Sequence, residues 1–174
     1  MSHERLKKSG LLIFKIAAYI SILPVLAVLL LFVTDYRINL SPSSPLGIWK
    51  IFPLDKIEAG MFVLVDSSWD AIGTQKGIHP DKKPMVKRVV GLPGSLVEKK
   101  GEYVYIDGVL IEGSKIYPKG RDGSPSPMPR YPYRIPADHY YVNSDKPGAW
   151  DSRYFGPVPK MALLKQTTLE WSWN

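Results

Sequence analysis

From Leu11 to Val33 the chain reads LLIFKIAAYISILPVLAVLLLFV, and no other feature of the sequence restricts the possible folds as strongly. The uninterrupted part, Ile16–Val33, holds 18 residues, about 27 Å of helix at ~1.5 Å per residue. That approaches the hydrocarbon thickness of a bilayer. Lys15 can extend its amine toward the headgroups, and Pro24 is tolerated in a membrane helix, which it would kink. A cleaved secretory signal would carry a shorter apolar region and a small-x-small site, which the following FVTDYRIN does not offer. The expectation is an uncleaved transmembrane anchor over 11–33 behind a cytoplasmic N-terminus, 1–10. Lys and Arg before the segment outnumber those just after it, which keeps the N-terminus in the cytoplasm. Residues 36–174 then form a domain on the far side of the membrane.

Strand signals dominate that domain. MFVLV at 61–65 follows Ala59-Gly60, and MVKRVVGLPG at 85–94 is β-branched and ends in a Pro-Gly turn. EYVYIDGVLIEG contains two strands joined by Asp107-Gly108, a strong hairpin signal. HYYVNSD at 139–145 is a further strand leading into a turn. The tail LLKQTTLEWSW alternates, with Leu169, Trp171 and Trp173 on one face. No segment after residue 36 has a persuasive helical period. The stretches 66–84 and 117–136 read as loops, the second with six prolines. The fold class is therefore mainly β, a small antiparallel domain forming a closed or partly closed barrel.

The net charge of +7 suits nucleic acid or an anionic membrane surface. The basic residues are scattered, with clusters at Arg5, Lys7, Lys8 and Lys15 and at Lys82, Lys83, Lys87 and Arg88. No basic helix or zinc-finger spacing accompanies them, which argues against nucleic acid as a partner. The absence of cysteine excludes disulfides, thiolate catalysis and Cys-ligated metal sites. No metal or other cofactor is expected.

Just beyond the apolar run lies SPSSPLG, residues 41–47, a composition typical of a loop. A serine there becomes a useful nucleophile only beside a base. His3, His79 and His139 show no partner pattern. A lysine serves if it loses its proton near neutral pH, which requires lowering a pKa of ~10.4 by about 2–3 units, or about 3–4 kcal/mol. Burial among apolar groups does this. Lys87 has such a setting in MVKRVV. Alternation puts Met85, Lys87 and Val89 on one face and Val86, Arg88 and Val90 on the other, so the lysine or the arginine must face the packed side. The alternative is an edge-strand lysine that guards against aggregation. Ser43 and Ser44, as neighbours, point to opposite faces, so only one of them can face Lys87. Asp151 and Arg153 form either a surface ion pair, worth little, or, given the apolar setting AWDSRYFG, a buried one. Asp145 and Lys146 read as solvated turn residues.

SPSSPLG, VKRVVGLPG and NSDKPGAWDSRYFGPVP together, in this order, resemble the type I signal peptidases. The form N-x-S-x-S-x-P-x-G from Asn39 to Gly47 is most similar to the conjugative-transfer branch, the TraF-like pilin-maturation peptidases. The resemblance runs from about Asn39 to Pro159 and implies a signal-peptidase-like β domain. It assigns Ser43 as nucleophile, with Pro45 and Gly47 as its turn, and Lys87 as general base. It assigns Ser41 to the oxyanion site beside the Ser43 amide, and Asp151, Ser152 and Arg153 to support of the site. Some relatives have a serine two places before this aspartate that hydrogen-bonds the lysine. Here that place is Ala149, leaving Ser152 or a backbone carbonyl to hold Lys87. The roughly 55 residues between Arg88 and Asn143 leave no room for the large extra β domain of longer relatives.

The activity implied is a membrane-anchored Ser/Lys endopeptidase acting on exported proteins, above all pre-pilin of a conjugative system. The acyl-enzyme would be resolved by water, or by an amine of the same substrate to close a ring. Its setting would be the bacterial inner membrane, with the catalytic domain periplasmic and with lipid and conjugative secretion components as partners. Two alternatives stand beside it. One is a general type I signal peptidase. The other is a catalytically silent, anchored β scaffold of a secretion assembly.

Overall fold

A computed structural model describes residues 2–78, 83–120 and 122–173; the side-chain surroundings of residues 2–12, 27–28 and 31–32 also lie outside the described set. Two compact units divide the chain, Met1–Arg37 and Ile38–Asn174. The first is built on helix α1, Ser2–Val33, with Pro24 inside it. No helix among the described residues is long and apolar enough to cross a membrane. The longest part of α1 with described side chains, 13–26, is shorter than the ~20 residues a span requires. The anchor expected over 11–33 thus falls partly outside the described residues and is not supported by the rest.

The strands are β1 (Tyr36–Asn39), β2 (Gly47–Phe52), β3 (Phe62–Val65), β4 (Met85–Gly91), β5 (Leu96–Lys100), β6 (Tyr103–Ile106), β7 (Val109–Leu110), β8 (Tyr133–Arg134), β9 (His139–Asn143), β10 (Val158–Pro159) and β11 (Leu163–Ser172). They form a seven-stranded sheet, β1-β2-β11-β3-β4-β9-β10, and a four-stranded sheet, β7-β6-β5-β8. Among the described residues no closed barrel is formed. Closure would require the outer strands to pair, but β1 and β10 end the larger sheet and it remains open. Register shifts in β4 between Val89 and Gly91, and in β11 between Leu163 and Lys165 and between Leu169 and Trp171, bend the sheet instead. The last shift also interrupts the uniform alternation expected of Leu169, Trp171 and Trp173.

Two apolar cores follow from strand alternation. Val63 and Val65 of β3, Val89 of β4, Val142 of β9, Val158, Ala162 and Leu163 form one. Val97, Val104, Ile106, Ile116, Ile135, Tyr141 and Tyr154 form the other. Tyr141 and Val142 are neighbours on β9 yet belong to different cores, so β9 contributes to both. The Asp107-Gly108 hairpin has φ of 49° and 80° at its two central residues, the left-handed pair that a tight two-residue turn requires.

The loop expected over 66–84 contains a 3-10 turn, Ser67–Trp69, and a short helix α2, Ala71–Gln75. Each begins at an aspartate that accepts a backbone N–H, Asp66 from Ser68 and Asp70 from Gly73. A third helix, α3, covers Ser152–Phe155 and is capped by Asp151. All three are too short to leave a periodic signature.

Gly47 opens β2 opposite Ser172 of β11. A Cβ placed on it would stand 2.0 Å from the Trp171 carbonyl oxygen and 2.9 Å from Leu169 Cδ1. Gly47→Ala should therefore push β2 and β11 apart and lower stability by about 1–3 kcal/mol. The midpoint of denaturant unfolding of the full chain measures this; an unchanged midpoint would show that the two strands yield freely.

Candidate active site

β4 presents Lys87, Val89 and Gly91 on its buried face and Val86, Arg88 and Val90 on the half-buried one. Lys87 is thus the residue that enters the packed side, at 2 % exposure. Its Nζ donates to Ser144 Oγ at 2.7 Å. Burial pulls the Lys87 ammonium down to about 8, with Asp151 opposing the shift and Arg153 adding to it. About a tenth of such an amine is neutral at pH 7, against less than a thousandth for an ordinary lysine.

Ser144 is placed by the strand register. Arg88 pairs with Asn143, so the next residue of each strand brings Ser144 level with Lys87. The Ser144 amide donates to Asp151 Oδ2 at 2.9 Å. Arg153 Nε and Nη2 bind the two oxygens of Asp151 at 2.7 and 2.6 Å. Both side chains of this pair are fully buried. The remaining guanidinium N–H groups donate to the carbonyls of Gly113, Lys115, Lys146 and Ala149. Burial alone would lower the Arg153 pKa, but the bond and charge of Asp151 outweigh it and raise it.

The serine loop is stitched by Asn39. Its Nδ2 donates to the carbonyls of Ser41, Ser44 and Pro45, and its Oδ1 accepts the Ser41 amide at 3.0 Å. Trp49, buried on β2, donates Nε1–H to the Pro45 carbonyl at 3.1 Å. Ser41 Oγ and Ser43 Oγ lie 3.0 Å apart, and this is the hydrogen bond of the Ser43 hydroxyl. Ser44 is buried, and its hydroxyl donates to the Val86 carbonyl of β4 at 2.9 Å. The loop is therefore docked against the residue directly before Lys87.

Ser152 does not hold the lysine: its Oγ accepts the Val142 amide at 2.9 Å. Among the described residues the Lys87 Nζ meets the Ser144 hydroxyl and no backbone carbonyl. Asp145, expected as a solvated turn residue, instead forms an ion pair with Arg88 at 2.5 Å, half-buried on the opposite face of β4 from Lys87. Burial raises the Asp145 carboxyl and Arg88 pulls it back. His139 Nδ1 donates to the Ala137 carbonyl of its own segment at 2.8 Å; His79 and the side chain of His3 lie outside the described residues. Among the described residues no cluster of acidic, His or Cys side chains is placed to hold a metal ion.

A profile of the family described as "Signal peptidase, peptidase S26" matches residues 10–173. The chain belongs to the signal peptidase S26 family. As an S26 chain it falls in a class of serine peptidases. It is 33% identical over 140 residues to a conjugal transfer protein TraF of Agrobacterium tumefaciens, covering 74% of this chain and 78% of that one. It is 34% identical over 140 residues to a probable conjugal transfer protein TraF of Sinorhizobium fredii, at 74% and 73% coverage. A probable signal peptidase I-2 of Synechocystis is 32% identical over 80 residues, covering 45% of this chain and 34% of that one. A crystal structure of signal peptidase I from Enterococcus faecalis aligns with a TM-score of 0.40 and 23% identity, covering 66% of this chain and 98% of that one.

Reading the S26 chain by motif alone overlooks Ser144 and Asn39. The signal for Ser144 was the pairing of two motif-bearing strands, since registering NSD against VKR sets serine beside lysine. Asn39 was visible only as the first letter of a pattern, because side-chain bonds to three carbonyls leave no periodic trace.

Lys87 has its pKa depressed in the fold, so below about pH 8 it is protonated in both states and its full burial cost of about 3 kcal/mol is present. As pH rises from 8 to 10.5 that cost disappears. Lys87→Met should therefore stabilise the chain most at and below pH 8, and the gain should vanish by about pH 10.5. Unfolding midpoints of both proteins at pH 7 and pH 10.5 test this; a pH-independent difference would mean that Lys87 is not held as an isolated buried amine.

Proposed function

We propose that this chain is a Ser/Lys endopeptidase that matures exported pre-pilin of a conjugative transfer system, with Ser43 as nucleophile and Lys87 as general base. The observation that carries it is Lys87, a fully buried amine with a pKa brought to about 8, on the strand to which the Ser43 loop is docked. The names of the TraF relatives support the conjugative setting. The apolar sequence 11–33, with its basic flank, supports an anchor in the bacterial inner membrane that leaves the β domain periplasmic.

In this reading neutral Lys87 uses one N–H to bind Ser144, which turns its lone pair toward the serine loop. The Ser43 proton moves to Nζ as Oγ bonds to the scissile carbonyl carbon. The oxyanion takes hydrogen bonds from the Ser43 amide and the Ser41 hydroxyl. The lysine returns the proton to the leaving amine as the peptide bond breaks. Water then attacks the acyl-enzyme, giving its proton to Lys87 and restoring Ser43. If an amine of the same substrate attacks instead, the product is a ring. Strand β9 covers β4 only from Arg88 onward, and before it Ser44 takes the Val86 carbonyl, so an extended substrate would lie along residues 39–42 rather than on that carbonyl. Partial matches to proteins named signal peptidase I favour a second reading, a peptidase of broad precursor range.

Ser43→Ala and Lys87→Ala should each leave the precursor uncut in membranes. Processing by either variant at the native rate would overturn the Ser43/Lys87 assignment, and intact function after loss of both residues would favour an anchored scaffold. Below about pH 8 kcat/KM should rise nearly tenfold per pH unit and then level off, because only the neutral amine accepts the proton. The product mass separates the outcomes of cleavage: a linear peptide, or a ring lighter by one water. Screening many precursors distinguishes a dedicated peptidase from a broad one.

A further inference from the structure

The Ser44 hydroxyl has no part in the steps above, yet it is buried at 5 % exposure and makes one specific bond across the domain. Its acceptor, the Val86 carbonyl, belongs to β4 and immediately precedes Lys87. In β4 the Val89 amide and carbonyl face Met61 and Gly60 on the β3 side. By alternation Val86 directs its carbonyl to the other edge, beyond the last β4–β9 pair, Arg88 with Asn143. That edge is where the loop arrives. Ser44 also donates its amide to the Ser41 carbonyl at 3.4 Å, so the tether continues within the loop. Asn39 holds the loop's shape, but its bonds are local and fix nothing relative to β4. Within the loop, Ser44 is the residue bonded to the lysine strand.

We infer that Ser44 is a positioning residue: its hydroxyl fastens the loop carrying Ser43 to the strand carrying Lys87, and thereby sets the distance over which the proton is transferred. The inference rests on the Ser43/Lys87 reading. The geometry makes the division of labour plain. Ser144 orients the base, Asn39 shapes the loop, and Ser44 sets one against the other. Proton transfer needs heavy atoms within about 2.6–3.2 Å, and a displacement near 1 Å can cost on the order of a hundredfold. Removing the tether should therefore lower the chemical rate and leave binding of the peptide intact.

The experiment compares Ser44→Ala, Ser44→Thr and the native full chain on an internally quenched peptide with an Ala-x-Ala site, together with backbone amide exchange. Ser44→Ala should lose roughly 10–100-fold in kcat with KM changed less than about twofold. The midpoint of its pH–rate profile should stay near 8, because the surroundings of Lys87 are untouched; Ser144→Ala should move that midpoint. Ser44→Thr, which retains the hydroxyl, should recover most of the rate. Amide exchange should speed up in residues 41–47 and remain unchanged in β3, β4 and 143–153. A native kcat in Ser44→Ala overturns the inference, as does an equal loss in Ser44→Thr with unchanged unfolding temperature. Unchanged exchange in the loop overturns it whatever the activity. Should Ser43→Ala cleave the peptide as fast as the native chain, the Ser/Lys reading fails, while the exchange data still decide whether Ser44 fastens the loop.

Discussion

The buried pair of Asp151 and Arg153 is the contact on which the rest of the site depends. A guanidinium removed from water is tolerated only if its donors are satisfied, and here they are. Asp151 takes two of them, and four backbone carbonyls take the others. Those carbonyls come from two separate segments, Gly113–Lys115 beside the smaller sheet and Lys146–Ala149 in the turn after β9. The arginine thus joins the turn to the second core. Asp151 also accepts the Arg153 amide and the Ser144 amide, and through the latter decides where the hydroxyl that meets Lys87 will stand. The aspartate also raises the lysine pKa that burial lowers. One ion pair therefore sets both the geometry and, in part, the protonation of the amine.

How much of this could be read from the sequence depends on the range of the interaction. Alternation in MVKRVV identified the two candidates for the packed face, and Asp107-Gly108 located its turn, because both are properties of adjacent residues. The order of the three motifs brought the serine loop and the lysine strand into one family pattern. Closure of the sheet was misjudged because strand alternation says which faces are buried and nothing about whether edge strands meet. With alanine at 149, where the family pattern has a serine, Ser152 or a backbone carbonyl was the expected partner of Lys87. The partner is instead Ser144, the residue that follows β9 and lies 57 positions from the lysine, placed through a register that no single segment encodes. Asp145 was misread for a similar reason: a polar residue after a strand looks solvated until the cation across the sheet is placed.

The two faces of β4 are used for different electrostatic purposes. On the packed face the lysine is stripped of water and left with a neutral hydroxyl as its direct partner, which keeps its proton loosely held. On the other face Arg88 is half-exposed, paired with Asp145 and lying 4.9 Å over the Phe62 ring. The adjacent cation therefore has its own anion, and solvent reaches it. Exchanging the two residues would expose the amine and bury a group that cannot give up its proton.

The position of β11 has a consequence for how the site comes into being. In the larger sheet β11 separates β2, which continues from the serine loop, from β3, which leads to the lysine strand. The two halves of the sheet are therefore bridged by the strand that leaves the ribosome after all the others. Until β11 has paired with both neighbours, the edges of β2 and β3 that it covers are open, so the larger sheet is completed by the element that follows the others in the chain.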